Sequence, residues 1–326
     1  MEPTLKKLKT DDNEKLKKIE AVLQEYILSD DAIQKIIDAF EEQARLANSE
    51  DENERKKSDL FWECTYITKF ITGKENGYFL GLDLGGTHFR VVGVKFTNGE
   101  ASTVTKYYNL PEELYTGEAE KIVLDTEWQS FGDGGCLDFM KTDIDKEIDK
   151  YSNHPGEATF EKMFSGLYLG ELVRQVLLKL VKDGLLFDGR GSDTLFQRNS
   201  FDTKYVTAIE SDEGESTGNT KEVIKIMGLD GIATDQDISV VRRVCSVISQ
   251  RGAYCIAAAT AVLLYHINRP EVTIAVDGSL FEHHPKYEKH MLSLLSKLVP
   301  KTKVNFIFVK DGSGSGAAFS AAAMSQ

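Results

Sequence analysis

The sequence predicts a mixed α/β protein with room for one large domain or two ordinary ones. Three observations support this class: helical periodicity near the start, a set of short β-rich segments after it, and strands mixed with helices toward the end. Hydrophobic residues make up 41% of the 326 residues and charged residues 28%, as in ordinary globular proteins. No tandem repeat is visible.

The first helical region covers residues 13 to 47, where apolar side chains recur at helical spacing. Ser29 and the two aspartates that follow it predict the end of one helix and the N-cap of a second. The next segment, NSEDENERKKSD at 48 to 59, is almost entirely charged. It is therefore expected to be a solvated loop.

Short β-rich segments then replace the helical pattern. GYFLGLDL, HFRVVGVKF and STVTKYYNL are separated by Gly or Asn turns and predict three antiparallel strands. IVLDTEW predicts a further short strand, and the glycine-rich turn FGDGG follows it.

Helices and strands are mixed in the remainder of the chain. Helical spacing resumes from Pro155, with further helices expected near 220 to 227, 236 to 267 and 285 to 299. VTIAVDGSLF and KVNFIFV read as strands, and the second runs into a glycine loop that opens an alanine-rich helix. This order favours an α/β or α+β architecture.

Charge and segment lengths restrict the partners. The formal net charge of −13 disfavours nucleic acid and anionic membrane surfaces. The first residues lack the apolar core of a signal peptide, and CIAAATAVLLYHI is too short for a membrane span, so it is expected to be a buried helix. The four cysteines form no Cys-x-x-Cys pair, which favours reduced thiols and a cytoplasmic location without integral membrane association.

Three glycine turns follow strands: Asp83-Leu-Gly-Gly-Thr, Asp277-Gly-Ser and Asp311-Gly-Ser-Gly-Ser-Gly. Glycines let a backbone approach a phosphate closely, and the carboxylates of Asp83 and Asp277 are candidates to hold Mg²⁺ through water. Plain turns remain the alternative for each. The last loop is not a dinucleotide fingerprint, because no second strand follows it, and it lacks the Gly-Lys-Ser/Thr of a Walker A loop.

Glu127 and Glu161 lie beside aromatic and glycine residues, in DTEWQSFGDGG and ATFEKMFSG. Carboxylates in such places can accept hydrogen bonds from sugar hydroxyls while an aromatic ring supplies an apolar wall. From spacing alone, the favoured interpretation is that Glu161 is a solvent-facing helix residue and Glu127 a charge at the end of a strand. The six histidines have no metal-ligand spacing and are expected to be surface or core residues.

Taken together and in order, these segments resemble the hexokinase family. The similar stretches are GYFLGLDLGGTHFRVVGVKF, DTEWQSFGDGGCLD, NHPGEATFEKMFSGLYLGELVRQVLLKLVKDGLLF, VDGSLFEHHPKY and DGSGSGAAFSAAA. The resemblance implies an actin-like ATPase (ribonuclease H-like) fold of two lobes. It also implies transfer of the γ-phosphoryl of Mg·ATP to the 6-hydroxyl of glucose or another hexose.

The resemblance assigns roles to residues. Glu127 and Glu161 match the two glutamates that bind sugar hydroxyls in the family. The positions that match the nucleotide and phosphate turns are Asp83, Gly85, Gly86, Thr87, Arg90, Asp277, Gly278, Ser279, Gly312, Ser313, Gly314 and Gly316. The resemblance implies ATP and Mg²⁺ as cofactors, which bind together as the Mg·ATP substrate complex.

The family pattern is interrupted near Lys121 and Ile122, where a block of roughly a hundred residues, a small domain's worth, is expected but absent. No FSFP segment, Asn-Asp-Thr segment or Gly-Thr-Gly-Ser loop occurs in the chain. In the family these supply a sugar contact, the general-base aspartate and a second phosphate clamp. No catalytic base is therefore assigned.

This interruption predicts three regions: N-terminal helices with a charged loop at 1–60, a small-lobe remnant at 61–121, and a large lobe at 122–326. The truncated small lobe would leave a sheet edge exposed and open to self-association. The chain is expected to be a weakly active or inactive relative. The alternatives are a non-catalytic sugar- or nucleotide-binding isoform and an incomplete gene product.

Overall fold

The computed structural model describes residues 10–64, 76–84, 89–97, 100–108 and 124–309, together with Gly312, Gly316 and Ser320. The chain divides into two compact units. The first comprises Met1–Leu60, Trp128–Ile274 and Ser279–Phe306, and the second comprises Phe61–Glu127, Ala275–Gly278 and Ile307–Gln326. Both units are therefore discontinuous in sequence.

The helices of the described part are α1 Thr10–Gln24, α2 Asp30–Ala47, α3 Glu52–Arg55, α4 Asp143–Lys150, α5 Thr159–Phe164, α6 Leu169–Lys182, α7 Asp193–Phe196, α8 Thr203–Glu210, α9 Gly218–Ile226, α10 Asp235–Ile267, α11 Ser279–His283 and α12 Tyr287–Leu298. The strands are β1 Glu63–Cys64, β2 Gly77–Leu84, β3 Phe89–Thr97, β4 Glu100–Tyr108, β5 Leu124–Asp125, β6 Glu271–Val276 and β7 Lys303–Phe308. The predicted mixed α/β class is confirmed.

The two N-terminal helices break where the sequence predicts. The Ser29 hydroxyl accepts a hydrogen bond from the Ala32 N–H at 3.1 Å and so caps α2. The apolar face of α2 is buried and packs against α10. On α1, Ile19 and Leu23 belong to the same core as α6 and α10. The first 60 residues thus contribute to the first unit.

Helix α10 is the central element of that unit, with α2, α5, α6, α8, α9 and α12 packed against it. A capping box fixes its start, because Thr234 and Asp237 each bond the other's backbone N–H. By length and composition α10 is apolar enough to cross a membrane, but 78% of its most apolar window is buried inside the protein. That burial is typical of a core helix, as the sequence predicts for its second half.

The second unit contains an antiparallel sheet in the order β2-β3-β4. In its register Asp83 lies opposite Arg90 and Gly93 lies opposite Val104. At the end of β3, Val94 and Phe96 are buried whereas Lys95 is exposed, the alternation of a sheet with one covered face. The three predicted antiparallel strands are confirmed.

Strands β6 and β7 pair with each other, and α11 and α12 connect them. Lys303 N–H donates to the Pro270 carbonyl at 2.8 Å, and Val309 N–H donates to the Val276 carbonyl at 2.9 Å. Both bonds have the same sequence offset, so the two strands run parallel. A helical crossover is the connection that parallel strands require.

Several predicted boundaries differ from the observed ones. The charged segment 48–59 contains the one-turn helix α3, and β5 has only two residues. The helical region after Pro155 is two helices, α5 and α6, because the chain turns at Ser165–Tyr168. Helix α10 begins at Asp235, one residue before the predicted start. The proposed division at residues 60 and 121 stays a prediction.

Candidate functional site

Helix α5 presents Glu161 from a buried framework. Thr159, Phe160, Lys162 and Met163 are at most 7% exposed, whereas Glu161 is only partly buried. Glu161 makes no side-chain hydrogen bond or ion pair within the described part of the chain. Its carboxylate is therefore free to accept hydrogen bonds from a ligand.

Lys162 anchors the same turn from inside the protein. Its ammonium group contacts Asp149 Oδ1 at 2.6 Å and the carbonyls of His154 and Glu157 at 2.6 and 2.5 Å. Burial acts to raise the pKa of Asp149, but hydrogen bonds from Lys162 and the Gly156 N–H hold it below its usual value. All three protons of a lysine are used, so this buried cation is fully satisfied.

An aromatic layer packs behind α5. Phe40 meets Trp128 and Phe131 edge to face, with ring centroids 5.3 and 5.1 Å apart. Phe131 then contacts Phe160, which contacts Phe164, at 5.1 and 5.0 Å. This chain of rings connects α2, the segment after Glu127 and α5, and it fixes the orientation of α5.

Hydrogen bonds to the carboxylates of two aspartates fix the position of the glycine-rich turn FGDGG. Asp59 accepts the N–H groups of Gly132 and Gly134 at 3.1 and 3.0 Å. Asp133, between the two glycines, accepts the N–H groups of Ala158 and Thr159 at the start of α5. The sequence marks this turn by its glycines, but it gives no sign that Asp59 or Asp133 has these partners.

Tyr168 lies in the electrostatic field of Glu161. Burial raises the pKa of the Tyr168 phenol, and the negative charges of Glu161 and Asp149 raise it further. The Glu161 carboxylate thus lies near a phenol, and both groups can form hydrogen bonds with the hydroxyl groups of a polyol.

A cavity of about 400 Å³ is lined in part by Thr159, Lys162 and Met163 of α5, and Glu161 is not among its lining residues. Its carboxylates are each paired with a cation: Asp138 with Lys141, Asp145 with Arg251 and Asp149 with Lys162. Within the described residues no group of three His, Cys, Asp or Glu side chains has the arrangement of a metal site.

Glu127, the second predicted sugar ligand, follows β5 and belongs to the second unit. Its side chain is exposed, and its φ of 31° is unusual for a residue other than glycine. Such backbone geometry is enriched where a side chain must point in a set direction. Its role in sugar binding stays a prediction.

The first glycine turn is described only at its two ends. Asp83 and Arg90 are directly opposite each other on β2 and β3, so the hairpin brings the ends of the predicted phosphate loop together. Gly85, Gly86 and Thr87 lie outside the described residues. Their assignment therefore rests on sequence alone.

The other two glycine turns meet in the second unit. Asp277 Oδ2 accepts the N–H of Gly312 at 2.8 Å. Gly278 has a φ of 144°, which favours glycine, and Ser279 begins α11. Gly316 is described, whereas Ser313 and Gly314 lie outside the described residues. Two of the three predicted nucleotide turns are thus brought together, with Asp277 holding a backbone N–H.

Comparison with known proteins connects these features. Two family models described as Hexokinase match residues 94–323 and 18–125, and the first alone covers more than half of the chain. Human hexokinase-1 is 41% identical over 212 residues, which are 63% of this chain and 23% of the human protein. Hexokinase-2 of Equus caballus is 42% identical over 212 residues, again 63% of this chain and 23% of the relative. The chain spans about a quarter of the length of these curated relatives.

Solved structures agree with this fold. A hexokinase from Schistosoma mansoni complexed with glucose has a TM-score of 0.84 and 27% identity, covering 95% of this chain and 99% of its own. A second structure, described as hexokinase, has a TM-score of 0.76 with 19% identity, and it supports the fold alone. The predicted hexokinase, actin-like ATPase fold is confirmed.

Proposed function

Because the chain belongs to the hexokinase family, we propose that Glu161 binds hydroxyl groups of glucose or a similar hexose. The roles of Glu127 as a second sugar ligand and of the glycine turns in binding ATP are proposals that rest on the sequence resemblance. The observation that carries the proposal is the presentation of Glu161, a free and partly exposed carboxylate on a turn whose other side chains are buried. A carboxylate held in this way binds hydroxyl groups without first losing side-chain partners of its own.

The reaction that membership of this family implies is phosphoryl transfer from Mg·ATP to the hexose 6-hydroxyl. Mg²⁺ enters as part of that substrate and neutralises charge on the phosphates. In this chain, no atom of the described residues apart from its chain neighbours lies within 4 Å of the position that a Cβ would take at Gly278, so a phosphate oxygen can approach the backbone of that turn closely. The Asp277 bond to Gly312 supports the proposal by joining the two turns.

We expect turnover to be weak or absent. The chain has no Asn-Asp-Thr segment to supply the aspartate that accepts the hydroxyl proton, and no Gly-Thr-Gly-Ser loop for a second phosphate clamp. General-base assistance alone is typically worth about 10²–10⁴-fold in rate. We therefore propose that the protein binds hexose and ATP but catalyses phosphoryl transfer weakly or not at all.

Calorimetric titration of the purified chain with glucose tests the binding. Replacing Glu161 by Gln removes a charged acceptor, and hydrogen bonds to charged groups contribute roughly 1.5–3 kcal/mol. We expect glucose affinity to fall by about ten- to a hundredfold. Glu157→Gln is the matched control, because Glu157 is on the same segment with a side chain 76% exposed. Equal affinities for wild type and both variants would contradict the role of Glu161.

A coupled assay for hexose 6-phosphate with Mg·ATP and glucose tests the chemistry. The expected rate is at least about a hundredfold below that of a hexokinase with an intact base segment. Robust turnover that disappears in Glu127→Ala would show that another group has replaced the general base, and it would overturn the expectation of weak activity.

A further inference from the structure

We infer that Asp133 is a positioning residue for Glu161: it holds the first turn of α5 so that the Glu161 carboxylate has a fixed direction. The inference rests on the proposed function, because it assigns a second residue to the same sugar site. Asp133 is assigned a positioning role and no sugar contact, because each of its carboxylate oxygens accepts a backbone N–H inside the protein.

The contact is a two-point cap. Asp133 Oδ2 accepts the Ala158 N–H at 3.0 Å, and Oδ1 accepts the Thr159 N–H at 2.8 Å. Helix α5 begins at Thr159, and its N-cap residue, Ala158, has no side chain that can bond these N–H groups. The cap therefore comes from a residue 25 positions earlier in the chain.

The cap also stabilises an unfavourable backbone. Ala158 has φ 53° and ψ 41°, the left-handed region that residues with a Cβ avoid. Such a conformation persists only where surrounding contacts determine it. Without the Asp133 bonds, Ala158 is expected to relax toward ordinary φ values. That change would rotate the turn that carries Glu161, only two residues after Thr159.

Helix α5 has little internal strength with which to resist this rotation. It spans six residues, and isolated helices of that length are unstable because nucleation is unfavourable. External contacts must set its position, and Asp133 accepts the N–H groups of its N-cap residue, Ala158, and of its first residue, Thr159.

Asp133 is itself held rigidly. The glycines on either side of it donate their N–H groups to Asp59, and a Cβ at Gly134 would lie 2.4 Å from Asp59 Oδ1. A side chain at Gly134 would therefore have to displace the Asp59 carboxylate from this loop. Asp59 thus fixes the backbone of the loop, and the Asp133 carboxylate connects the loop to the start of α5.

Asp133→Asn tests the inference, because an amide NH₂ group would face one of the two backbone N–H groups. Asp212→Asn is the matched control: Asp212 likewise accepts two backbone N–H groups, from Asn219 and Thr220 at the start of α9. Both variants are expected to melt at lower temperature by similar amounts. Only Asp133→Asn should weaken glucose binding, by about five- to tenfold, measured where all proteins are folded.

The double variant Asp133→Asn/Glu161→Gln separates positioning from general weakening. If Asp133 acts through Glu161, then Asp133→Asn adds little to the loss of affinity that Glu161→Gln causes alone. The inference would be overturned if the affinity losses of the two single variants multiply in the double variant. It would also be overturned if Asp133→Asn and Asp212→Asn bind glucose with equal affinity.

Hydrogen exchange distinguishes failure of this inference from failure of the proposed function. Amides of residues 158–161 are expected to exchange faster in Asp133→Asn than in wild type or Asp212→Asn. If wild type does not bind glucose, the proposed function fails, and the exchange result alone decides whether Asp133 positions the turn. Unchanged exchange in Asp133→Asn would refute the positioning.

Discussion

Several aspartates in this chain accept hydrogen bonds from backbone N–H groups of other segments. Asp59, Asp133, Asp212 and Asp277 all do so. The sequence identifies Asp277 as a candidate for Mg²⁺ because an Asp-Gly turn follows a strand, but it does not identify the other three. A capping partner tens of residues away leaves no local pattern, so spacing could not have predicted Asp59 or Asp133.

The sequence identifies candidate residues where their neighbours in the chain form a recognisable local pattern. Glu127 and Glu161 stand out beside aromatic and glycine residues, and the structure leaves Glu161 free and partly exposed. The burial of Lys162 next to it could not be foreseen, because a lysine in a short helix is normally a surface residue.

His284 gives the chain a stability that depends on pH. It is 4% exposed, its Nδ1 accepts the Lys286 N–H at 3.3 Å, and its Nε2 lies 3.2 Å from Ser249 Oγ. Burial lowers the pKa of His284 to about 4, with smaller contributions from the charges of His290 and Lys286. The unfolded value is near 6.5. Its stabilising contribution is therefore complete above pH 6.5 and is lost as the pH falls toward 4.

Urea unfolding at pH 7 and pH 4 measures this loss. The free energy of unfolding of wild type is expected to fall by roughly 2–3 kcal/mol more than that of His284→Asn. His283→Asn should behave as wild type, because the His283 side chain is 62% exposed. Identical pH dependence in wild type and His284→Asn would refute this origin of the acid sensitivity.

At the scale of helices and strands, periodicity predicts the elements that bury one continuous face. The break at Ser29, the three antiparallel strands and α10 all follow from it. Short elements were not predicted: α4, α7 and α8 have four to eight residues. In so few residues a helical period is sampled once or twice, so local patterns cannot distinguish a helix from a turn.

Helices α4 and α10 are joined by a buried ion pair. Both terminal nitrogens of Arg251 contact Asp145, each at 2.8 Å, and these residues are 2% and 9% exposed. Burial acts to raise the pKa of Asp145, but Arg251 holds it below the usual value. Asp145 also caps α4 through Thr142. The pair thus fixes the start of one helix against the middle of another.

Removing one partner of this pair should destabilise the protein strongly. Arg251→Met leaves a buried carboxylate without its cation, and such changes cost about 3–5 kcal/mol. Asp145→Asn should be similarly harmful. The double variant is expected to recover part of the loss, since it leaves no unpaired charge. Denaturant unfolding of all four proteins measures the coupling, and simple addition of the two losses would contradict it.

At the scale of the whole molecule, the chain passes between two discontinuous units, and neither matches a continuous run of sequence. Sequence order predicts the family because the ordered segments are long, and a structure with 27% identity has the same fold. It does not predict which segments pack together, since contacts such as Asp59 with Gly134 join residues 75 positions apart.

Self-association is the last expectation that belongs to this scale. Strand β4 pairs with β3 and, within the described residues, with no other strand. Unpaired strand edges tend to pair with another chain, whereas the net charge of −13 opposes association at low salt. We therefore expect sedimentation velocity to show dimers that increase with protein concentration and with salt, because salt screens the repulsion.

Proline scanning on β4 tests whether that edge forms the contact. Successive residues on an edge strand direct their N–H groups alternately toward and away from the neighbouring strand. Of Thr103→Pro and Val104→Pro, one therefore removes an N–H that bonds β3 and the other removes an outward N–H. The outward variant should keep the wild-type circular dichroism spectrum and remain monomeric at high salt, while the other loses structure. If the folded variant still dimerises as wild type does, the contact lies elsewhere and the β4 edge is not the interface.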